Sequence, residues 1–404
     1  MKEVEEAMAQ IKDGKALGPD EFTANFFHEF WELVSIEVWE LVEESRTMHW
    51  ILPLLNSTFL ALIPKGAESN TPDKYMPIAL CNIIYKLISK VLANRLKPLL
   101  PLLISPEQID YVEGRQIMDG IILSNEVIHS LKLLKNPGMI MKLDLSKAFD
   151  KLSWSYIQQM LLAFGFNATW ARWIMNLISS PNFSILLNGS PSKPFRPSRG
   201  ICQRDPLSPF IFVLMAEGLN HLLHSTISSQ TLKGISLHGL HPLSHQQFVD
   251  DTMLFGHPSS QEASAFKDLL SLFSEASGTS INATKSHLFF FHTPAFTQRN
   301  IARILGYSIA TLPSKYLGTP LLDSAIKYAS WRTLIDKLES RISSWTFRSL
   351  NMASRLILIK TVLQVMPLYR FSVLAALNGF LKASVICRET FCGDPLVSIG
   401  NGHW

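Results

Sequence analysis

Two acidic motifs hold the residues in this chain whose type and spacing are best suited to chemistry. Asp144 lies in the apolar segment Ile140-Met-Lys-Leu-Asp-Leu-Ser146, and Asp250 and Asp251 lie within Gln247-Phe-Val-Asp-Asp-Thr-Met-Leu-Phe255. One carboxylate in a strand-like run and two at a hairpin tip are costly to place beside a core, unless they are paired or hold a cation. A hard ion such as Mg2+ binds through one or two carboxylates, waters and substrate phosphates. Two such ions held by converging carboxylates serve in-line phosphoryl transfer. An Asp–Asp pair alone is most simply a solvated turn, so the pair takes its meaning from what surrounds it.

The elements that must position these acids follow from periodicity and turn chemistry. Residues 2–12 and 24–46 read as helices, the second with an aromatic stripe of Phe26, Phe27, Phe30, Trp31 and Val34 that reads as core packing. Strands are expected at 58–64 and 76–80, and helices at 82–98 and 116–134. After the strand carrying Asp144, a helix begins at Ser153, which is placed to cap it, and runs to about Phe164. Asn188-Gly189 marks a hairpin joining 183–188 to 194–196. A long apolar helix follows over 206–225, and a second hairpin over 246–255 has the acidic pair at its tip. The hairpin must bring Asp250 beside Asp144 if one cation is to meet both, because neighbouring carboxylates repel strongly without it.

Phe-Val-Asp-Asp, about a hundred residues after Leu-Asp-Leu-Ser-Lys-Ala-Phe-Asp (143–150), resembles the reverse transcriptase family, especially the non-LTR (LINE-type) retrotransposon polymerases abundant in plants. Further blocks occur in the family's order. Lys15-Ala-Leu-Gly-Pro-Asp20 is similar to its leading segment, and Leu62-Ile-Pro-Lys65 and Lys74-Tyr-Met-Pro-Ile-Ala-Leu-Cys-Asn82 are similar to its fingers blocks. Gly114-Arg-Gln-Ile117 precedes the first catalytic strand, and Arg199-Gly-Ile-Cys-Gln-Arg-Asp-Pro-Leu-Ser-Pro209 matches a nucleotide-lining loop. Ser277-Gly-Thr-Ser-Ile-Asn282 with Lys285, then Tyr316-Leu-Gly-Thr-Pro-Leu321, complete the series.

The resemblance implies an α+β, right-hand polymerase fold: an antiparallel palm sheet backed by helices, α/β fingers and a partial helical thumb. It implies a helical extension over 1–55, fingers over 56–138, a palm over 139–322 interleaved with fingers elements, and a partial thumb with a divergent tail over 323–404. The implied activity is RNA-directed DNA polymerisation with two Mg2+ ions, Mn2+ being an alternative. The implied partners are an RNA template, a DNA primer and deoxynucleoside triphosphates. Asp144 and Asp250 would bridge the ions, with Asp251 close but less directly coordinating. Phe149 would stand against the sugar 2′ position, where a ring excludes ribonucleotides, or else be ordinary core. Lys65 would meet the triphosphate, Gln203 would line the incoming nucleotide, Lys285 would serve the leaving group, and Arg115 would pair with template phosphate or form a structural ion pair.

The departures are equally specific. Met76 stands where the family usually has a triphosphate-gripping arginine, Arg204 replaces a glycine, Cys202 an arginine, and Leu17 and Glu21 the family's Pro and Gly. An arginine at position 204 is strained if its backbone is left-handed, and it projects a long side chain into the nucleotide site. Carboxylates kept beside an eroded cradle suit a decaying retroelement copy. The alternative reading is a catalytically inactive remnant that binds nucleic acid. A nucleotide cyclase with the same palm geometry would leave the fingers blocks unexplained. The family usually carries an endonuclease domain before this region, and Ile399-Gly-Asn-Gly402 resembles a segment that normally lies well beyond the polymerase, so truncation is expected at both ends.

Composition bounds rather than selects. With 404 residues and 47% hydrophobic content the chain can bury a large core in two or three subdomains. A net charge of +4 permits polyanion binding without requiring it. Cys81, Cys202, Cys387 and Cys392 have neither zinc-ligand spacing nor a disulfide framework, so an intracellular location, nucleus or cytoplasm, is the default. No apolar run is expected to span a membrane, and no secretory signal is visible.

Overall fold

The structure is a computed structural model, and it describes residues 1–48, 51–52, 54–66, 68–236, 242–321, 328–344 and 350–374, together with a few positions between 381 and 391. The chain divides by contact into two compact units, Met1–Gln116 with Pro137–Ala310, and Ile117–Asn136 with Thr311–Trp404. The tail segment Ile399–Gly402 lies outside the described residues.

The first unit opens with helices α1 (Lys2–Ala9), α2 (Ala24–Glu29) and α3 (Trp31–Thr47). The single helix expected over 24–46 is broken at Phe30, which leaves helical geometry at φ −104°, ψ 19°. Thr23 caps α2 by accepting from the Phe26 amide at 3.0 Å. Of the aromatic stripe, Phe27 is buried, whereas Phe30 is half exposed.

Strands β1 (Ser57–Pro64) and β2 (Tyr75–Cys81) pair antiparallel. Helices α4 (Ile83–Leu96) and α5 (Leu100–Leu103) follow, α4 being apolar on nearly every face because it is the buried centre of the larger core. The leading block docks here. Asp20 donates its amide to Asn82 Oδ1 at 3.2 Å, and a Cβ on Gly18 would lie 2.7 Å or less from Asn82 backbone atoms.

Helix α6 (Ile117–Leu133) belongs by contact to the second unit. Strand β3 (Gly138–Asp144) returns to the first unit, followed by α7 (Ala148–Lys151), α8 (Trp154–Ala163), α9 (Ala168–Ser179), β4 (Asn182–Leu187), β5 (Ser190–Pro191) and α10 (Ser208–Ser228). Ser153 stands at the N-terminus of α8 but does not cap it; its hydroxyl bonds the Ser155 hydroxyl instead, at 2.9 Å. Asn188 and Gly189 both take positive φ (51° and 84°), the geometry a two-residue hairpin turn needs. The strand expected at 194–196 contributes only an isolated bridge from Phe195 to Phe183.

Strands β6 (His245–Phe248) and β7 (Asp251–Gly256), helix α11 (Ser260–Ser277), strand β8 (His287–Phe291), helix α12 (Ala295–Leu305) and strand β9 (Ser308–Ile309) complete this unit. They form a five-stranded sheet in the order β6-β7-β3-β8-β9, antiparallel except where the two-residue β9 runs parallel to β8 at the edge. One face of this sheet (Met139, Met141, Leu143, Leu254, Leu288) packs on Leu219, Leu223, Phe266, Leu270 and Ile301 from α10, α11 and α12. A second sheet, β2-β1-β4-β5, contains a parallel β1–β4 pair.

The second unit adds the hairpin β10 (Ser314–Tyr316) and β11 (Thr319–Leu321), then α13 (Tyr328–Ser344), α14 (Met352–Leu358) and α15 (Val365–Phe371), with a π-helical turn at 359–363 between the last two. Its core gathers Trp331, Leu334, Leu338, Ile359 and Leu363.

Contrary to the expectation from sequence, two described helical runs, Ser208–Ser228 and Met352–Phe371, are long and apolar enough by length and composition to cross a membrane. For α10 the reason is local. It is wrapped on most sides by protein, so apolar residues replace the polar face of an ordinary surface helix.

The loop before α10 is held by a close backbone crossing. Gly200 has φ 82°, and a Cβ there would lie 2.5 Å from the Asp150 carbonyl oxygen. We therefore expect Gly200→Ala to lower stability by about 3 kcal/mol. Gly165→Ala, at φ 83° with open space around it, should cost about 1 kcal/mol. Urea denaturation of the two variants measures the difference.

Candidate active site

The acidic motifs meet through strand pairing. In the β3–β7 ladder Asp144 stands opposite Asp251, and Asp250 lies in the two-residue turn that joins β6 to β7. The other turn residue, Val249, has φ 52°, a left-handed conformation that is a true outlier for a β-branched side chain. Neighbouring contacts fix it there. The Val249 amide donates to the buried Gln108 Oε1 at 3.2 Å. Residues 107–109 run along the β6 edge, with Gln247 N donating to the Glu107 carbonyl at 2.8 Å and Ile109 N to the Gln247 carbonyl at 3.0 Å.

Arg115 holds that edge segment in turn. Its guanidinium donates to the carbonyls of Ser105 at 2.6 Å, Ile104 at 2.8 Å and Gln108. Its donors are engaged by backbone carbonyls, it does not line the groove described next, and it makes no ion pair among the described residues.

Asp144 and Asp250 line one open groove of about 770 Å³, shared with Lys65, Met76, Phe149, Gln203, Arg204 and Lys285. Asp251 is not among its lining residues. Burial, then the Asp251 and Asp144 charges, push the Asp250 carboxyl up to about 6, with Lys285 opposing. Burial raises Asp251 as well, Lys142 opposing it and Asp144 adding to it. Lys285 Nζ stands 3.9 Å from Asp144 Oδ2, and its side chain is mostly exposed. Three carboxylates thus crowd one end of a ladder with two lysines nearby, an arrangement that favours a bound cation.

Backbone straps bring the other groove residues to the acids. The segment after Asp144 is bound to the Ser277–Asn282 block: Ser146 N donates to Ser280 O at 2.7 Å and Asn282 N to Asp144 O at 2.8 Å. The 199–209 loop is laid along 149–154 through Ile201 N to Phe149 O at 2.9 Å, Gly200 N to Leu152 O at 2.8 Å and Trp154 Nε1 to Gly200 O at 2.8 Å. Phe149 stacks on Phe212 at 4.9 Å and 12° while also lining the groove, so the ring is both a core contact and a wall. Gln203 Nε2 donates to Asp150 Oδ1 at 3.0 Å, which fixes the amide at the groove edge. Asp205 is buried and caps α10, accepting from the Leu207 and Ser208 amides, each at 3.1 Å.

The departures have structural consequences. Arg204 is left-handed, φ 70°, and lines the groove, as an arginine in a glycine position must if the loop keeps its path. Glu21 is also left-handed, at φ 60°. Met76 presents a thioether to the groove. Cys202 is buried, its thiol pushed up by a hydrogen bond with Cys81 and by burial, so this position faces the core.

Sequence reasoning assigned no role to Asp150, Gln108 or Tyr111. Asp150 could have been suspected, as the only acid in Lys147-Ala-Phe-Asp150 beside the first motif. Gln108 and Tyr111, the latter a groove residue with its ring on Phe210 at 5.8 Å, carry no local signal.

Comparison with known proteins shows the family. Residues 63–321 match the family described as reverse transcriptase (RNA-dependent DNA polymerase). The chain is 24% identical over 393 residues to the transposon TX1 uncharacterized 149 kDa protein of Xenopus laevis, covering 94% of this chain and 29% of that protein. It is 27% identical over 239 residues to the retrovirus-related Pol polyprotein from type-2 retrotransposable element R2DM of Drosophila melanogaster, covering 59% and 21%. It thus spans less than a third of the length of these relatives. A solved telomerase from Candida albicans, in complex with a fragment of telomeric RNA, aligns with a TM-score of 0.48 at 12% identity, over 92% of this chain and 64% of that one. With a family match over most of its length and retrotransposon proteins as its relatives, the chain belongs to the reverse transcriptase family, on the non-LTR retrotransposon branch.

Proposed function

We propose that this chain is the polymerase module of a retroelement protein, adding deoxynucleotides to a DNA primer 3′ end on an RNA template, with a cradle weakened by substitution. The observation that carries this reading is the placement of Asp144 and Asp250 on one groove, at the end of the β3–β7 ladder.

The donor set fits a hard divalent cation. Two carboxylates face the same open space, and Asp250 is held up to about 6 by burial and by like charge, which a cation relieves. Asp144 and Asp250 would hold Mg2+, or Mn2+ in its place, with Asp251 supplying charge from behind. When bound, the two ions supply activation of the primer hydroxyl and charge neutralisation at the leaving pyrophosphate. Lys65 and Lys285 offer point charges to the triphosphate from two parts of the groove. Phe149, braced by Phe212, closes the space against a sugar 2′ hydroxyl. Gln203, fixed by Asp150, borders the base and sugar.

A second reading, a nucleic-acid-binding remnant without turnover, is favoured by Met76 and by the strained Arg204 in the groove. Localisation inside the cell, in nucleus or cytoplasm, and separation from membranes belong to the proposal.

Primer extension on poly(rA)/oligo(dT) with Mg2+ or Mn2+ tests it. Asp250→Asn should abolish extension and barely change primer–template affinity, because phosphate contacts come from basic residues. A surviving polymerase rate removes Asp250 from the mechanism. Restoring the cradle with Met76→Arg and Arg204→Gly together should raise extension at least about tenfold, or about 1.4 kcal/mol of transition-state binding; a native chain as active as the double variant contradicts erosion.

The raised Asp250 carboxyl also makes a cation-free stability prediction. A carboxyl whose folded value (about 6) exceeds its unfolded value (3.8) stabilises the fold fully below pH 3.8 and loses that contribution as pH rises through 6. The carboxyl is crowded by protein but opens on the groove and its surface is exposed, so water screens the effect to about 1 kcal/mol or less. In EDTA, Asp250→Asn should be the more stable chain at pH 7.5, and the difference should vanish near pH 4. Thermal melts across pH measure this.

A further inference from the structure

Away from the groove, Glu107, His224 and His245 offer one ligand atom each, all within 4.8 Å of one another. They come from three separate elements: the segment strapped to the β6 edge, the last turns of α10, and the first residue of β6. We propose that these three residues form a zinc-class metal site that fastens the 104–109 segment and the acidic hairpin to α10. The proposal does not depend on polymerase activity.

The geometry is close to a ligand set. His224 Nε2 lies 3.4 Å from Glu107 Oε2, and Glu107 Oε2 is buried without a hydrogen-bond partner. Ligands of a tetrahedral zinc, each about 2.0–2.2 Å from the ion, stand about 3.3–3.6 Å apart. The Glu107–His224 pair already meets this. The other pairs stand no more than 4.8 Å apart, and the His224 side chain is about half exposed at 47%. The two imidazole rings meet edge to face at 5.6 Å.

The surroundings of His245 supply the second requirement, a fixed tautomer. Asn220 Nδ2 donates to Glu217 Oε2 at 2.9 Å, so Asn220 Oδ1 is the atom facing His245 and accepts from its Nε2–H at 2.8 Å. Nδ1 is then the lone pair, and the Ser244 hydroxyl rests on it at 2.7 Å. An ion takes that lone pair in exchange for the hydroxyl. The ring is buried. Two imidazoles and one carboxylate select a borderline ion such as Zn2+ or Co2+ over Mg2+. The fourth position remains open to water.

The test uses the full 404-residue chain stripped with EDTA and titrated with Co2+ and Zn2+. Visible d–d absorption reads the Co2+ site, and elemental analysis after gel filtration reads Zn2+ stoichiometry. One ion per chain is expected, with binding at least tenfold weaker in His224→Ala and in Glu107→Gln and unchanged in His221→Ala, an exposed neighbour on α10. A tenfold excess of Mg2+ should not compete. Circular dichroism of the stripped variants confirms folding, and His224→Ala, at a half-exposed position, carries the test if Glu107→Gln does not fold. The proposal is overturned if the folded wild type retains no stoichiometric ion, if a folded Glu107 or His224 variant keeps full affinity, or if His221→Ala weakens binding equally.

Discussion

Three carboxylates at one end of an antiparallel ladder repel one another, and much of the larger unit is arranged to hold them there. Strand pairing sets Asp144 against Asp251, and a two-residue turn with a left-handed valine places Asp250 on the groove. Neither the repulsion nor the strain favours folding. Both are borne by contacts outside the motif: Gln108 on the Val249 amide, the 107–109 strap along β6, and Arg115 on the carbonyls of that strap. Strain of this kind persists only where the surroundings over-determine it, and it concentrates where function requires a set geometry.

The groove shows two different fates for one set of contacts. Its scaffold is intact: Phe149 on Phe212, Gln203 on Asp150, Asp205 capping α10 and the Ser277–Asn282 block bound to the strand after Asp144. Met76 presents an uncharged thioether to it, and the backbone of Arg204 is left-handed. The scaffold contacts stabilise the fold whether or not the chain turns over, whereas a triphosphate-gripping cation does not. Substitution of such a cation would leave the fold in place.

Several residues have partners that the local pattern does not show. An arginine beside a glycine in a loop carries no sign of its partners, and Arg115 is bound by three carbonyls from 104–108. Ser153 occupies a cap position without capping, because its hydroxyl found Ser155. Phe30 broke a helix that periodicity alone would continue. Short-range pattern states what a residue can do, and competition among neighbours decides what it does.

The sequence by itself determined the strands and helices with strong periodicity, the Asn188-Gly189 turn and the acid-bearing segments. Each depends on local propensity or on a period of two or 3.6 residues. The order of the motif blocks also determined the family, and hence the fold class. Tertiary structure alone decided that α6 groups with the C-terminal helices, and that Glu107, His224 and His245 converge. These outcomes join residues from about twenty to more than a hundred positions apart. Their chemistry is set by which side chains the packed core brings within a few ångströms, and no local pattern in the chain encodes that.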